Sequence, residues 1–166
     1  VGLDGVDNRA MQSWCLRFGE ASDHFADAVA WFTEWKSNGN IPWAAIRAWE
    51  LNHLLAAGKG PGGIDGVRPL GIGLATRRLS TRGHLEVTGA AATEACGIDQ
   101  LCAGLSAGSK AAIHAVNPSW DEHASDADWG FLMVDAENAF NALDHTAMLW
   151  VIRHLWPEGT WFCFNS

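Results

Sequence analysis

Trp129-Gly-Phe-Leu-Met-Val-Asp135-Ala-Glu-Asn-Ala-Phe140-Asn141 is the stretch on which the reading of this chain turns. Phe131 to Val134 is an apolar, β-prone run that delivers one carboxylate at its end, which predicts a strand over 131–135. A small residue, Ala139, and an aromatic, Phe140, follow four and five positions after the acid. A carboxylate at a strand exit supplies the hard oxygen donor that Mg²⁺ prefers. The same residues also fit an acid opening a turn before a helix, with Asn138 or Asn141 as the cap. A pattern this short arises by chance in roughly one chain in twenty of this length, so its neighbours decide between the two.

The 166 residues, 48% of them hydrophobic, suffice for one ordinary domain with a sizeable core. Charges break every apolar stretch well short of the ~20 residues a membrane helix needs, and no signal peptide is evident. An intracellular protein with no membrane partner is expected. The chain begins at Val1 and ends at Asn165-Ser166 without a helix stop signal, which suggests a fragment. Cys15, Cys96, Cys102 and Cys163 form no C-x-x-C pair, and the seven histidines show no ligand spacing, which disfavours zinc and a disulfide framework. Trp14, Trp31, Trp35, Trp43 and Trp49 crowd the first fifty residues. Such a row stacks bases in some proteins, but at helical spacing it more commonly builds a core.

A net charge of −8 argues against a stand-alone nucleic-acid binder, yet the charge is unevenly spread. Lys59, Arg68, Arg77, Arg78, Arg82 and Lys110 face four acids between residues 58 and 110. Residues 111–152 carry no Lys or Arg, against Asp121, Glu122, Asp126, Asp128, Asp135, Glu137 and Asp144. A basic segment followed by an acidic one suits a site with phosphates on one side and metal on the other. A solvated acidic loop at 121–128 accounts for four of those seven acids equally well.

Phe25, Val29, Phe32 and Trp35 recur at helical spacing over 22–38, with Ser22 as candidate N-cap and Asn38-Gly39 as the stop. Pro42 opens a second predicted helix over 43–57. Composition then shifts to the loop Gly58-Lys-Gly-Pro-Gly-Gly-Ile-Asp-Gly66, followed by an extended Val67–Gly73 in which Pro69 holds Arg68 out of the helical region. Further helices are predicted over Leu74–Cys96, over 109–117, and from Asp144 or Thr146 through about Leu155, where Pro157 stops the last. The segment 118–128 reads as a polar loop.

Two further blocks join the first. Gly66-Val-Arg68-Pro-Leu-Gly-Ile-Gly73 with Arg77-Arg78-Leu79 resembles the R-P-[IL]-G-[IV]-G…R-R-[LI] block of reverse-transcriptase fingers, and Gln100 to Val116 resembles the block that follows it. Val134–Asn141 then looks like motif A of that family, continued by Asp144-His145 and Met148-Leu149. The blocks stand in family order over about residues 58–166, and are closest to the non-LTR or group II intron kind. The resemblance implies an α/β (α+β) fold: a helical extension over 1–57, a fingers-like region over 58–126, and the start of a palm over 127–166. It implies RNA-directed DNA polymerisation with an RNA template, a DNA primer, dNTPs and Mg²⁺. By resemblance Asp135 is the first catalytic carboxylate and the Ala136 carbonyl adds a metal ligand. Phe140 lies under the sugar of the incoming nucleotide and excludes a 2′-hydroxyl. Arg68 clamps the triphosphate as a planar, always-charged fork, and Arg77, Arg78 and Arg82 contact template backbone.

The family's second catalytic strand carries a [YF]-x-D-D turn, and no Asp-Asp pair exists in this chain. The expectation is therefore an incomplete site. Two other classes compete. Gly104-Leu-Ser106-Ala-Gly108 satisfies the G-x-S-x-G elbow of α/β-hydrolases, with Asp135 or Asp144 and His145 or His154 in triad order, although the preceding Gly97–Ala103 makes a poor strand. A non-catalytic retroelement remnant, its Trp-rich helices binding a partner, is the third.

Overall fold

The computed structural model describes residues 1–59, 61, 66–98, 100, 101, 106–136 and 139–166, with the Phe140 side chain outside that set. The chain is helix-rich α+β and divides into two compact units, Val1–Thr88 with Thr160–Ser166, and Gly89–Gly159.

In the first unit, Asp7 caps α1 (Asn8–Leu16) by accepting the Ala10 N–H at 2.7 Å. The next helix, α2 (Glu20–Asn38), crosses it through an edge-on Trp14–Phe25 contact. Ser22 does not cap α2 from outside. It sits buried in the first turn and accepts the Phe18 N–H. The inward stripe of α2 runs Ser22, Phe25, Val29, Phe32 and then Lys36, which is fully buried, while Trp35 turns outward at 41% exposure.

Helix α3 ends after one turn (Trp43–Ile46) instead of reaching residue 57. Asn52–Gly58 forms β1, paired antiparallel with β2 (Val67–Gly73) in the register Asn52↔Gly73 to Gly58↔Val67. The local sequence of 51–57 is helix-compatible. The override comes from the partner strand, whose ladder supplies backbone hydrogen bonds, and from Glu50, drawn into the core by two cations. Beyond β2, α4 (Ala75–Ala95) starts with its Ala75 N–H bonded to Asp4 Oδ2 at 2.7 Å, a cap supplied from far along the chain. The chain at Gly2 lies so close to this corner that a Cβ there would meet the Gly73 carbonyl oxygen at 2.6 Å.

The core holds Met11, Ile41, Ile46, Ala75 and Phe162 of α8 (Thr160–Phe164), together with a polar seam. Thr33 and Ser37 of α2 hydrogen-bond Ser80 and His84 of α4, one turn apart on each helix. Asn165 closes the C-terminus of α2, donating to the Lys36 and Gly39 carbonyls and accepting the Ile41 N–H. Each bond satisfies a group that burial would otherwise leave costly.

The second unit contains α5 (Gly108–His123), α6 (Ala139–Ala142), α7 (His145–Leu155) and a 3₁₀ turn (Pro157–Gly159). Asp144 caps α7 by accepting the Thr146 and Ala147 N–H groups, where the sequence placed the start, and the helix ends before Pro157. Helix α5 runs through Pro118 to His123, past the stop expected at 117. The aromatic contacts of Trp120 and His123 with Trp129 and Phe131 hold that last turn despite the amide hydrogen the proline lacks.

The strand expected over 131–135 does not form. Residues 129–136 are irregular, with Leu132, Met133 and Val134 83–92% exposed. A strand exists only through its partners, and among the described residues the sheet contains β1 and β2 alone.

Candidate functional site

An open cleft of about 1180 Å³ lies in the first unit between α1, the Gly71–Gly73 end of β2 and the first turns of α4. Met11, Leu79 and Leu85 give it an aliphatic floor, and Gln12, Asn52, Arg77, Arg78 and Arg82 give it polar walls. Among the described residues no Asp or Glu lines it, which is notable in a chain of net charge −8.

The three arginines do not play one part. The Arg77 guanidinium is 2.8 Å from Glu50 Oε2 and donates to the Glu50 carbonyl and to Asn52 Oδ1. It braces the start of α4 against the start of β1. Arg78 and Arg82 stand exposed one helical turn apart, and among the described residues neither pairs with a carboxylate. They are the cations the cleft offers to a ligand. Arg68 lies exposed further along β2, opposite Ala57, and does not line the cleft.

Beneath the brace lies a feature the sequence did not single out. Lys36 Nζ donates to Glu50 Oε1 and to Ser166 Oγ, and lies 4.5 Å and 4.6 Å from the ring centres of Trp49 and Phe162. Glu50 thus bridges Lys36 and Arg77, and its side chain is 4% exposed. Burial holds the Lys36 ammonium below its ordinary pKa, the Glu50 hydrogen bond and charge oppose that shift, and Arg77 adds to it. His84, stacked on Phe162 at 4.2 Å, is also lowered, by burial first and then by Lys36. Burial raises the Cys163 thiol while Lys36 pulls it down. The only signal in the sequence was a lysine at an inward position of an amphipathic helix.

Asp135 and Ala136 lie exposed on the irregular segment of the second unit. Among the described residues no group of three or more His, Cys, Asp or Glu side chains is placed to hold a metal. One carboxylate and one carbonyl are two of the six oxygens that Mg²⁺ takes, the others being supplied by water, substrate phosphates or further carboxylates. The Phe140 side chain, Gly104 and Leu105 lie outside the described residues.

Ser106 is exposed in a turn, followed by Ala107 in the left-handed region (φ 58°) and by the start of α5 at Gly108. That is a turn into a helix, and the residues directly before it, 102–105, lie outside the described residues. His154, one of the triad candidates, directs Nδ1 at the Trp150 carbonyl. Among the described residues no hydrogen bond joins Ser106 to a histidine. No helix among them is long and apolar enough to cross a membrane.

Comparison of the chain with protein-family models, with curated proteins and with solved structures gives no match.

Proposed function

We propose that this chain carries the fingers and first palm segment of a reverse transcriptase of the retroelement kind, and grips an RNA template with its DNA primer. The observation that carries the reading is the order of three sequence blocks, at Gly66–Leu79, Gln100–Val116 and Val134–Asn141. It is supported by the cleft that Arg78 of the first block and Arg82, one turn further along α4, line with no acid beside them among the described residues. Those two arginines neutralise backbone phosphates. Arg77 holds α4 in place through Glu50. Arg68 clamps the triphosphate of an incoming dNTP, and Phe140 excludes a 2′-hydroxyl. Asp135 and the Ala136 carbonyl contribute to a Mg²⁺ site. That ion, when bound, would polarise the phosphates, with Asp135 and the Ala136 carbonyl supplying two of its oxygen ligands.

Binding of a labelled RNA–DNA hybrid, followed by anisotropy across a salt series, tests this reading. The double variant Arg78→Ala/Arg82→Ala is expected to flatten the dependence of log K on log salt by about 0.7–0.9 for each lost phosphate contact. Salt-independent binding, or none at low salt, would sink it. The chain by itself is expected to extend no primer, and extension abolished by Asp135→Asn would overturn the claim of an incomplete site.

A non-catalytic scaffold is the second reading, favoured by the stacked pair Trp31 and Trp35 on the surface of α2 (ring centres 6.1 Å apart). A scaffold has no reason to bind the hybrid in a salt-dependent way.

A further inference from the structure

The second unit carries an aromatic group that the proposed function does not use. Trp120 and His123 occupy the last turn of α5, and Trp129 and Phe131 lie on the segment that follows. A turn folds this segment back: the Asp126 N–H bonds the His123 carbonyl, and Asp126 Oδ1 accepts the Asp128 N–H. Trp129 then stacks on His123 at 4.4 Å and meets Phe131 edge-on at 4.8 Å. Phe131 and Trp120 stand nearly parallel, at 21° and 6.1 Å, and are 45% and 52% exposed. The result is an aromatic corner with rings in two orientations, two of them half open to solvent.

The charged side chains of this stretch of chain have one sign. Asp121, Glu122, Asp126 and Asp128 are exposed beside it in the chain, and residues 111–152 contain no Lys or Arg. Aromatic faces attract cations through the ring quadrupole, and the neighbouring carboxylates accept hydrogen bonds. A quaternary ammonium has no hydrogen to donate to them. A guanidinium stacks flat on a ring and donates in plane to a carboxylate, so it satisfies both features. Nucleic acid is repelled by the same acids.

We propose that Trp120, Trp129 and Phe131, with Asp121 and Glu122, form a docking surface for an arginine-rich segment of a partner protein. The inference does not rest on the polymerase reading, because none of these residues has a role in it.

Anisotropy of a labelled peptide of alternating Arg and Gly, titrated with the full chain, tests it against three controls. These are the same peptide with citrulline for Arg, one with Lys for Arg, and a single-stranded RNA of equal length. The arginine peptide is expected to bind, the citrulline peptide not to bind, and the lysine peptide to bind more weakly. Trp120→Ala and Phe131→Leu are each expected to weaken the arginine peptide about fivefold, a loss of ~1 kcal/mol. Asp121→Asn/Glu122→Gln is expected to reduce its salt dependence while leaving the fold intact by circular dichroism. Equal binding of the arginine and citrulline peptides overturns the proposal. So does arginine-peptide binding unchanged in Phe131→Leu, which would reduce the surface to diffuse acidity, and so does preferential binding of the RNA.

Discussion

Lys36 decides more about this molecule than any residue the sequence draws attention to. Its ammonium is fully buried between two aromatic rings and tied to Glu50, which also holds Arg77. Removing the acid leaves two cations facing each other in a desolvated place. Glu50→Ala is therefore expected to cost about 3–5 kcal/mol in urea unfolding. Lys36→Met is expected to cost much less, because Arg77 still answers the carboxylate and methionine fills the aromatic slot. A larger loss in Lys36→Met than in Glu50→Ala would refute this account. His84 supplies a pH dependence. Its folded pKa lies below the ordinary 6.5, so on acidification the unfolded chain takes up the proton first. Stability is then lost as pH falls from about 6.5 toward the folded value, and levels off below it. Unfolding of His84→Gln followed over that interval is expected to lack this part of the loss.

At the scale of elements, the local signal held at Asp144, failed at Ser22 and Pro118, and gave no warning of partners far along the chain. Asp144 was legible as the start of α7 because an N-cap is a contact between residues two and three apart. Asp144→Ala is expected to lower stability by about 1 kcal/mol, read as a loss of helical signal at a lower midpoint in thermal melts, with Asp144→Ser recovering most of it. The extended Val67–Gly73 was legible too, since Pro69 excludes a helix there. Its partner was not: Asn52–Gly58 has helix-forming leucines and alanines, and only pairing across the register with 67–73 makes it a strand. The apolar run Phe131–Val134 shows the converse. Its composition suits a strand, yet it stays irregular and exposed, because strand structure requires a second strand to share hydrogen bonds.

Across the whole molecule, burial is concentrated in one unit. The buried apolar side chains Met11, Ile41, Ile46, Ala75 and Phe162 all belong to Val1–Thr88 with Thr160–Ser166. In Gly89–Gly159 the described residues that reach full burial are Gly108 and Gly159. Local opening follows the lack of buried contacts. Amide exchange is therefore expected to be slowest in α2 and the first turns of α4, and faster throughout α5 and α7. Uniform protection across the chain would contradict this. Sequence by itself determined the helix-rich α+β class, the cap and stop of α7, the extended Arg68 segment, and the basic-then-acidic division of charge. Each depends on residues a few positions apart or on composition. The tertiary structure alone decided that Arg77 is a brace while Arg78 and Arg82 face an open cleft, that a lysine sits in the core, and that Asp135 stands on an unpaired segment. Those facts depend on partners 14 to 130 positions away or on a strand neighbour that no local pattern encodes.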